Sequence, residues 1–364
     1  MSRFTVILTD ECNYDCAYCY QKKRNRRLEV SSLFKALDFF LPLFASECCI
    51  SFYGGEPLLA FDVLKRAVEH VEGLSAKRHL QHRYSLTTNG SLLTDDILGF
   101  LEGHEFSLIL SFDGLAQDHS RMEGSFDLLA SLIPRILARP RINLETNSVF
   151  SAETVDYLSE SVEYIVETGV RKLDVNFSKT PPWTGASLLR LGEEIVRVRR
   201  YFESRYERPQ DVPWTYFYEE LERAIHHCSA GLSQMALSAD GVVWGCFVFP
   251  HYFTNKEGTE EYDKYCFGEV DSFIANPQEI YAHKIVNYSD LRMDRFSTPD
   301  RACLMCAEIE TCWLCPLAAG LTTGEIGKIP ASSCHAAKAI RKERRRLLEH
   351  FSKEAQGPKE PSDG

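Results

Sequence analysis

No stretch of this chain approaches the ~20 uninterrupted apolar residues of a membrane-crossing helix, and it does not open on a positive start followed by an apolar run. Neither export nor membrane spanning is indicated, and a cytoplasmic setting is expected. Positive charge is in deficit: 41 Lys and Arg against 52 Asp and Glu give a formal charge of −11. That disfavours broad nucleic-acid binding. No solenoid-type repeat is present. Cysteine, by contrast, is abundant. Thirteen in 364 residues exceed a chance cytosolic count, and disulfides would not persist in that compartment, so metal or cluster ligation is the better reading.

The first 200 or so residues alternate short apolar runs with amphipathic segments. FTVIL (4–8), CCISFY (48–53), RYSLTT (83–88), FSLILSF (106–112), INLETNSV (142–149) and KLDVNF (172–177) read as buried strands. SSLFKALDFFLPLF, FDVLKRAVEHV, TDDILGFL, SFDLLASLIPRIL and TVDYLSESVEYIVE read as the helices between them. Six strand-then-helix units imply a parallel sheet with right-handed crossovers. They are too few for an eight-unit barrel, so the expected α/β fold is a partial (β/α)6 TIM-like barrel with its chemistry at the carboxyl ends of the strands. The cysteines divide between Cys12–Cys19 and Cys228–Cys334, with Cys48 and Cys49 apart as buried thiols. This suggests a barrel at 1–205, a bridging segment at 206–225, a small cysteine-rich domain at 226–340, and a helix end with a disordered tail at 341–364.

ECNYDCAYCY follows the first strand and spaces Cys12, Cys16 and Cys19 as CX3CX2C, one thiolate fewer than a 4Fe-4S cube or a structural zinc normally takes. Gly54, Gly55, Glu56 and Pro57 follow the second strand, where a glycine pair lets backbone approach a ligand closely or simply makes a tight turn. Together the two motifs resemble the radical S-adenosylmethionine enzymes. The resemblance implies that the three cysteines hold a 4Fe-4S cube whose fourth iron is chelated by S-adenosylmethionine, which is then split to methionine and a 5′-deoxyadenosyl radical. It implies that Tyr18 lies by the adenine and that Gly54 to Pro57 bind the methionyl amine. Ser111 and Arg121 match groups that contact the methionyl carboxylate, although Arg121 also suits a surface pair with Glu123. TTNG (87–90) is similar to a family strand end and equally to a loop turn.

Downstream, Cys228 and Cys246 flank an Asp-Gly hairpin signal in ALSADGVVWGC. Cys303, Cys306, Cys312 and Cys315 run CX2CX5CX2C, and Cys334 follows. The order resembles the SPASM extension of peptide- and protein-modifying radical enzymes, although the last spacing there is usually CX3C. The resemblance implies an outer cluster on Cys303, Cys306, Cys312 and Cys334, and an inner one on Cys228, Cys246 and Cys315. The inner cluster takes Cys266 as fourth ligand or keeps an open iron. Three 4Fe-4S clusters are expected in all. A zinc knuckle on Cys303, Cys306, Cys312 and Cys315 would leave Cys228, Cys246 and Cys334 unexplained.

The function so implied is a maturase that abstracts hydrogen from a ribosomally made peptide or a protein side chain. Its alternatives are a small-molecule radical dehydrogenase, a formylglycine-forming sulfatase maturase and a non-enzymatic metal-binding protein. Implied partners are the peptide or protein substrate and a flavodoxin- or ferredoxin-type electron donor. A precursor's leader is expected to dock on the barrel, on the extension or on a separate leader-binding protein. In sulfatase maturases an aspartate base follows the second hairpin cysteine. Phe247 stands there, which favours a thioether or carbon–carbon cross-link over formylglycine, since phenylalanine accepts no proton. Asp240 looks committed to its turn. No catalytic residue is assigned: Trp183 either contacts substrate or covers the core edge, and the aromatics of 211–228 read as packing. His226 and His227 read as solvated helix residues, and the basic runs 21–27 and 339–348 as solvated faces.

Overall fold

Six short strands, β1 (Arg3–Ile7), β2 (Glu47–Tyr53), β3 (Gln81–Thr88), β4 (Ser107–Ser111), β5 (Asn143–Phe150) and β6 (Leu173–Phe177), lie side by side in chain order. All five pairings between them are parallel. The structure is a computed structural model and describes residues 2–44, 47–78, 80–178, 181–217 and 224–355. Helices Val30–Phe40, Phe61–Arg78, Asp95–Gly103, Ser125–Leu137 and Leu158–Glu167 make the crossovers. Their starts follow local chemistry where a cap is present, as at Thr94, whose hydroxyl accepts the Ile97 N–H at 3.3 Å. Phe4, Val6, Ile50, Phe52, Leu86, Leu108 and Leu110 are wholly buried between sheet and helices. This is the expected partial barrel, with every strand's carboxyl end on one rim.

The sheet does not stop at β1. β7 (Gln234–Leu237) pairs parallel with its free edge, Arg3 opposite Gln234 and Val6 opposite Leu237. β8 (Val242–Trp244) then pairs antiparallel with β7, and β9 (Gly268–Glu269) with β8, completing nine strands in the order 6-5-4-3-2-1-7-8-9. The Asp240-Gly241 turn forms as expected, with Gly241 at φ +79°. The cysteine-rich segment therefore extends the barrel's own sheet.

The helix Ala331–Ala355 returns along helix Gly185–Arg205. The basic run within it is not a solvated face: Arg341, Glu343 and Arg344 are buried. Arg199 Nε donates to Glu343 at 2.8 Å, and Arg341 and Arg345 both meet Glu308. These fixed opposite charges let the stripe pack inward. Trp214 and Phe217 are buried, while residues 218–223 of the bridge and 356–364 of the tail lie outside the described residues. Among the described residues no helix is long and apolar enough to cross a membrane.

Candidate functional site

The loop after β1 and the segment after β2 are tied together through backbone. Gly55 N–H donates to Thr9 O at 2.9 Å and Glu56 N–H to Glu11 O at 2.7 Å. A Cβ on Gly54 would stand 2.6 Å from Thr9 O, and one on Gly55 2.2 Å from Glu11 O. The glycine pair is thus needed for contact with the cysteine loop itself. Glu56, wholly buried, holds the third rim segment: Oε1 accepts Leu58 N–H (3.0 Å) and the Thr88 hydroxyl (2.7 Å), and Oε2 accepts Asn89 N–H (2.8 Å). Burial pushes its carboxyl up to about 7 against those three hydrogen bonds, which favour the ionised form. Asn89 Nδ2 also donates to Asn13 Oδ1 at 2.9 Å, so TTNG grips the cysteine loop rather than being a simple turn.

Cys12, Cys16 and Cys19 share this loop, with Cys19 N–H closing on Cys16 O at 3.0 Å. Burial pushes the Cys16 thiol up to about 11, opposed by the Arg121 guanidinium. Tyr18 donates its hydroxyl to Asp113 Oδ2 at 2.8 Å, and Arg121 lies over its ring, 5.4 Å from the centroid. Asp113 is wholly buried at the end of β4 and also accepts from Ser120, Val149 N–H and Arg121 Nη2 (2.8 Å). Arg121 is therefore buried and paired with Asp113, not a surface partner of Glu123, and its Nε is left buried without a partner. Ser111, the last residue of β4 and two residues before Asp113, is also buried.

A group of aromatic side chains gathers beside Cys19. Tyr20 keeps 40% of its surface accessible, while burial of its phenol end pushes the hydroxyl well up. Tyr53 meets it hydroxyl to hydroxyl at 3.4 Å and receives Gln21 Nε2 at 3.1 Å. From the hairpin side Phe247 packs on Tyr53, centroids 4.7 Å apart, and His251 sets its ring against Tyr20 at 5.5 Å. The charges of Cys19 and Cys315 both act on the Tyr20 hydroxyl, so this ring lies near a cysteine of the first loop and one of the downstream set. Asp240 is held by Arg26 at 2.6 Å and by Ser238.

The downstream cysteines form two groups. Cys303, Cys306, Cys312 and Cys334 line one pocket with Met293, Ile309, Leu314 and Arg341. Cys246 instead feels Cys228 and Cys315 as its charged neighbours, while burial pushes its thiol well up. Cys266 is not among those neighbours: its Sγ accepts Gly268 N–H at 3.3 Å, and Tyr288 is acted on by both Cys246 and Cys266. His226 and His227 are not helical. His227 forms an antiparallel bridge with Arg292, and His226 stacks on Trp313 at 5.9 Å. Trp183 donates Nε1 to Ser178 O at 2.7 Å and packs on Phe177.

The donor set suits clusters better than single ions. All thirteen cysteines are free thiols. Among the described residues no three His, Cys, Asp or Glu side chains are grouped for one metal ion. The zinc knuckle also fails on placement, since Cys334 rather than Cys315 completes the four-thiol pocket. On the rim, the partnerless Arg121 Nε fits the carboxylate of a small ligand such as S-adenosylmethionine.

Residues 6–133 match the Radical SAM superfamily, and this segment is a radical SAM domain. Among individual proteins, the chain is 24% identical to the radical SAM cyclopropyl synthase TigE of Paramaledivibacter caminithermalis over 284 residues, covering 70% of this chain and 59% of that one. It is 24% identical to the cysteine-type anaerobic sulfatase-maturating enzyme of Clostridium novyi, over 45% of this chain and 48% of that one. In fold it is similar to anSMEcpe with bound AdoMet, with a TM-score of 0.76 at 16% identity over 97% of this chain and all of that one. SuiB of Streptococcus suis bound to S-adenosylmethionine follows, with a TM-score of 0.61 at 18% identity over 91% and 76%.

Proposed function

We propose that this radical SAM enzyme is a peptide or protein maturase with two auxiliary 4Fe-4S clusters in a SPASM-type extension. The observation that carries this reading is the division of the downstream thiols into a four-cysteine pocket and a second group of Cys228, Cys246 and Cys315. Residues 1–205 form the barrel, 206–225 the bridge and 226–340 the extension, with 341–364 as its end. Cys12, Cys16 and Cys19 hold the first cluster. Cys303, Cys306, Cys312 and Cys334 hold the outer auxiliary cluster, and Cys228, Cys246 and Cys315 the inner one. Cys266, absent from the charged neighbours of Cys246, is the weakest candidate for its fourth ligand. When bound, the first cluster and S-adenosylmethionine supply a carbon radical able to take hydrogen from an unactivated C–H bond.

The chain's own residues position that chemistry. Gly54 to Pro57 present backbone to the methionyl amine, Tyr18 lies by the adenine, and Ser111 and the free Nε of Arg121 face the carboxylate. Tyr20, Tyr53, Phe247 and His251 form the aromatic group that a substrate side chain meets. Phe247 is packed on Tyr53 and accepts no proton, and Asp240 is held by Arg26. Formylglycine chemistry, which the likeness in fold to a sulfatase maturase would favour, therefore lacks its base. A thioether or carbon–carbon bond is the product we assign, and the likeness to a cyclopropyl synthase supports the carbon–carbon side. The enzyme works in the cytoplasm with a flavodoxin- or ferredoxin-type donor. A precursor's leader docks on the barrel, on the extension or on a separate leader-binding protein.

Anaerobic reconstitution tests the reading. Three clusters predict about twelve irons per chain without zinc, and zinc with a single cluster would remove the auxiliary assignment. Incubation with S-adenosylmethionine, reductant and a sulfatase-type CXPXR peptide should give cofactor cleavage with the peptide mass unchanged. Aldehyde formed at a rate comparable to cleavage would restore the sulfatase-maturase reading.

A further inference from the structure

Two arginines line the four-cysteine pocket, Arg301, which is exposed, and Arg341, which is buried. Arg341, on the helix Ala331–Ala355, is only 4% exposed. Its Nη2 donates to Glu308 Oε2 at 3.1 Å, but Nε and Nη1 are buried without a nitrogen or oxygen partner. A buried guanidinium with two idle donors is costly unless something accepts from it. The pocket it lines offers the four thiols, set among Met293, Ile309, Leu314 and Ile329. Cys312 is the neighbour whose charge acts on Arg341 most strongly. Arginine stays charged under all ordinary conditions, and in such apolar surroundings a fixed charge is weakly screened.

We infer that Arg341 tunes the outer cluster, its fixed charge and two idle N–H donors at the Cys312 side raising that cluster's reduction potential. Hydrogen bonds and net charge at ligating sulfurs are the protein's main levers on such potentials. By contrast, the influences resolved on Cys228 and Cys246 come from burial, backbone N–H groups and other cysteines, with no cationic side chain among them. Glu308 holds Arg341 in place and partly offsets its charge, acting through it. Arg341 is thus a tuning residue, distinct from the ligands. The inference rests on the outer site holding a cluster.

The test is an EPR-monitored redox titration of the full reconstituted chain, with the outer signal identified by its absence from Cys334→Ala. At a fixed potential, Arg341→Gln should lower the reduced-to-oxidised ratio of that signal at least tenfold, about 59 mV for one electron. Arg341→Lys keeps the charge without the fork and should lower it less, and Glu308→Gln should raise it. The other two signals should stay put. Full iron content with the ratio unchanged within twofold in Arg341→Gln and Glu308→Gln would overturn the inference and leave the maturase reading standing. Zinc in the four-cysteine pocket would overturn both.

Discussion

The Glu56 carboxylate ties its own segment to the end of β3 through acceptor atoms alone, which makes its charge state structural. Replacing it with glutamine turns one acceptor into an NH2 group, and whichever way the amide points, a backbone N–H of Leu58 or Asn89 then faces a donor. Glu56→Gln should therefore cost about 1–3 kcal/mol in a urea unfolding series and loosen the glycine segment from the end of β3. Cleavage of S-adenosylmethionine should fall with it. His251 carries a different liability. Burial pushes its imidazole down to about 4, so it stays neutral in the fold while the unfolded chain takes a proton below about 6.5. Its contribution is present above that value and lost as pH falls toward 4. Between pH 7 and pH 5 this amounts to about 2 kcal/mol, and a His251→Phe chain should lose that much less stability over the same interval, as measured by denaturant midpoints. An equal loss in both chains would refute the assignment.

At the level of elements, the six barrel strands were legible in the sequence within two residues, because buried parallel strands read as apolar runs and each is followed by an amphipathic helix. The hairpin was legible for its Asp-Gly turn. Its attachment to β1 was not, since strand pairing over more than 200 residues leaves no local signal. The resemblance to the SPASM extension implied the two downstream groups, whereas Asp113, Asn89, Tyr20 and Arg341 are single residues that matter only through distant partners. The run at 339–348 was misread because composition alone does not reveal that Glu308 and Arg199 await its charges. The two ends of the molecule should also fail separately. Cys334→Ala or Cys303→Ala should lose the outer cluster yet keep some uncoupled cleavage of S-adenosylmethionine, with product yield falling further than cleavage. Cys12→Ala should abolish cleavage and keep the auxiliary iron. Iron assay and 5′-deoxyadenosine release distinguish these outcomes, and equal loss of both activities in the first pair would mean that the extension is needed for the barrel to fold.

For the whole molecule, the seam between β1 and β7 has a consequence in time. Once the ribosome has delivered Arg3–Ile7, the strand that closes its outer edge follows roughly 230 residues later, on the order of tens of seconds at ordinary elongation rates. Throughout that interval the chain carries an apolar strand with an open ladder of N–H and C=O groups, the kind of edge that recruits other chains. Nascent chains arrested near residue 205 should accordingly bind holdase chaperones more heavily than chains arrested beyond β8, as pull-down of the stalled complexes would measure. β1 gains its second neighbour only after the five other barrel strands have been made, so the cell must shelter that open edge until β7 emerges.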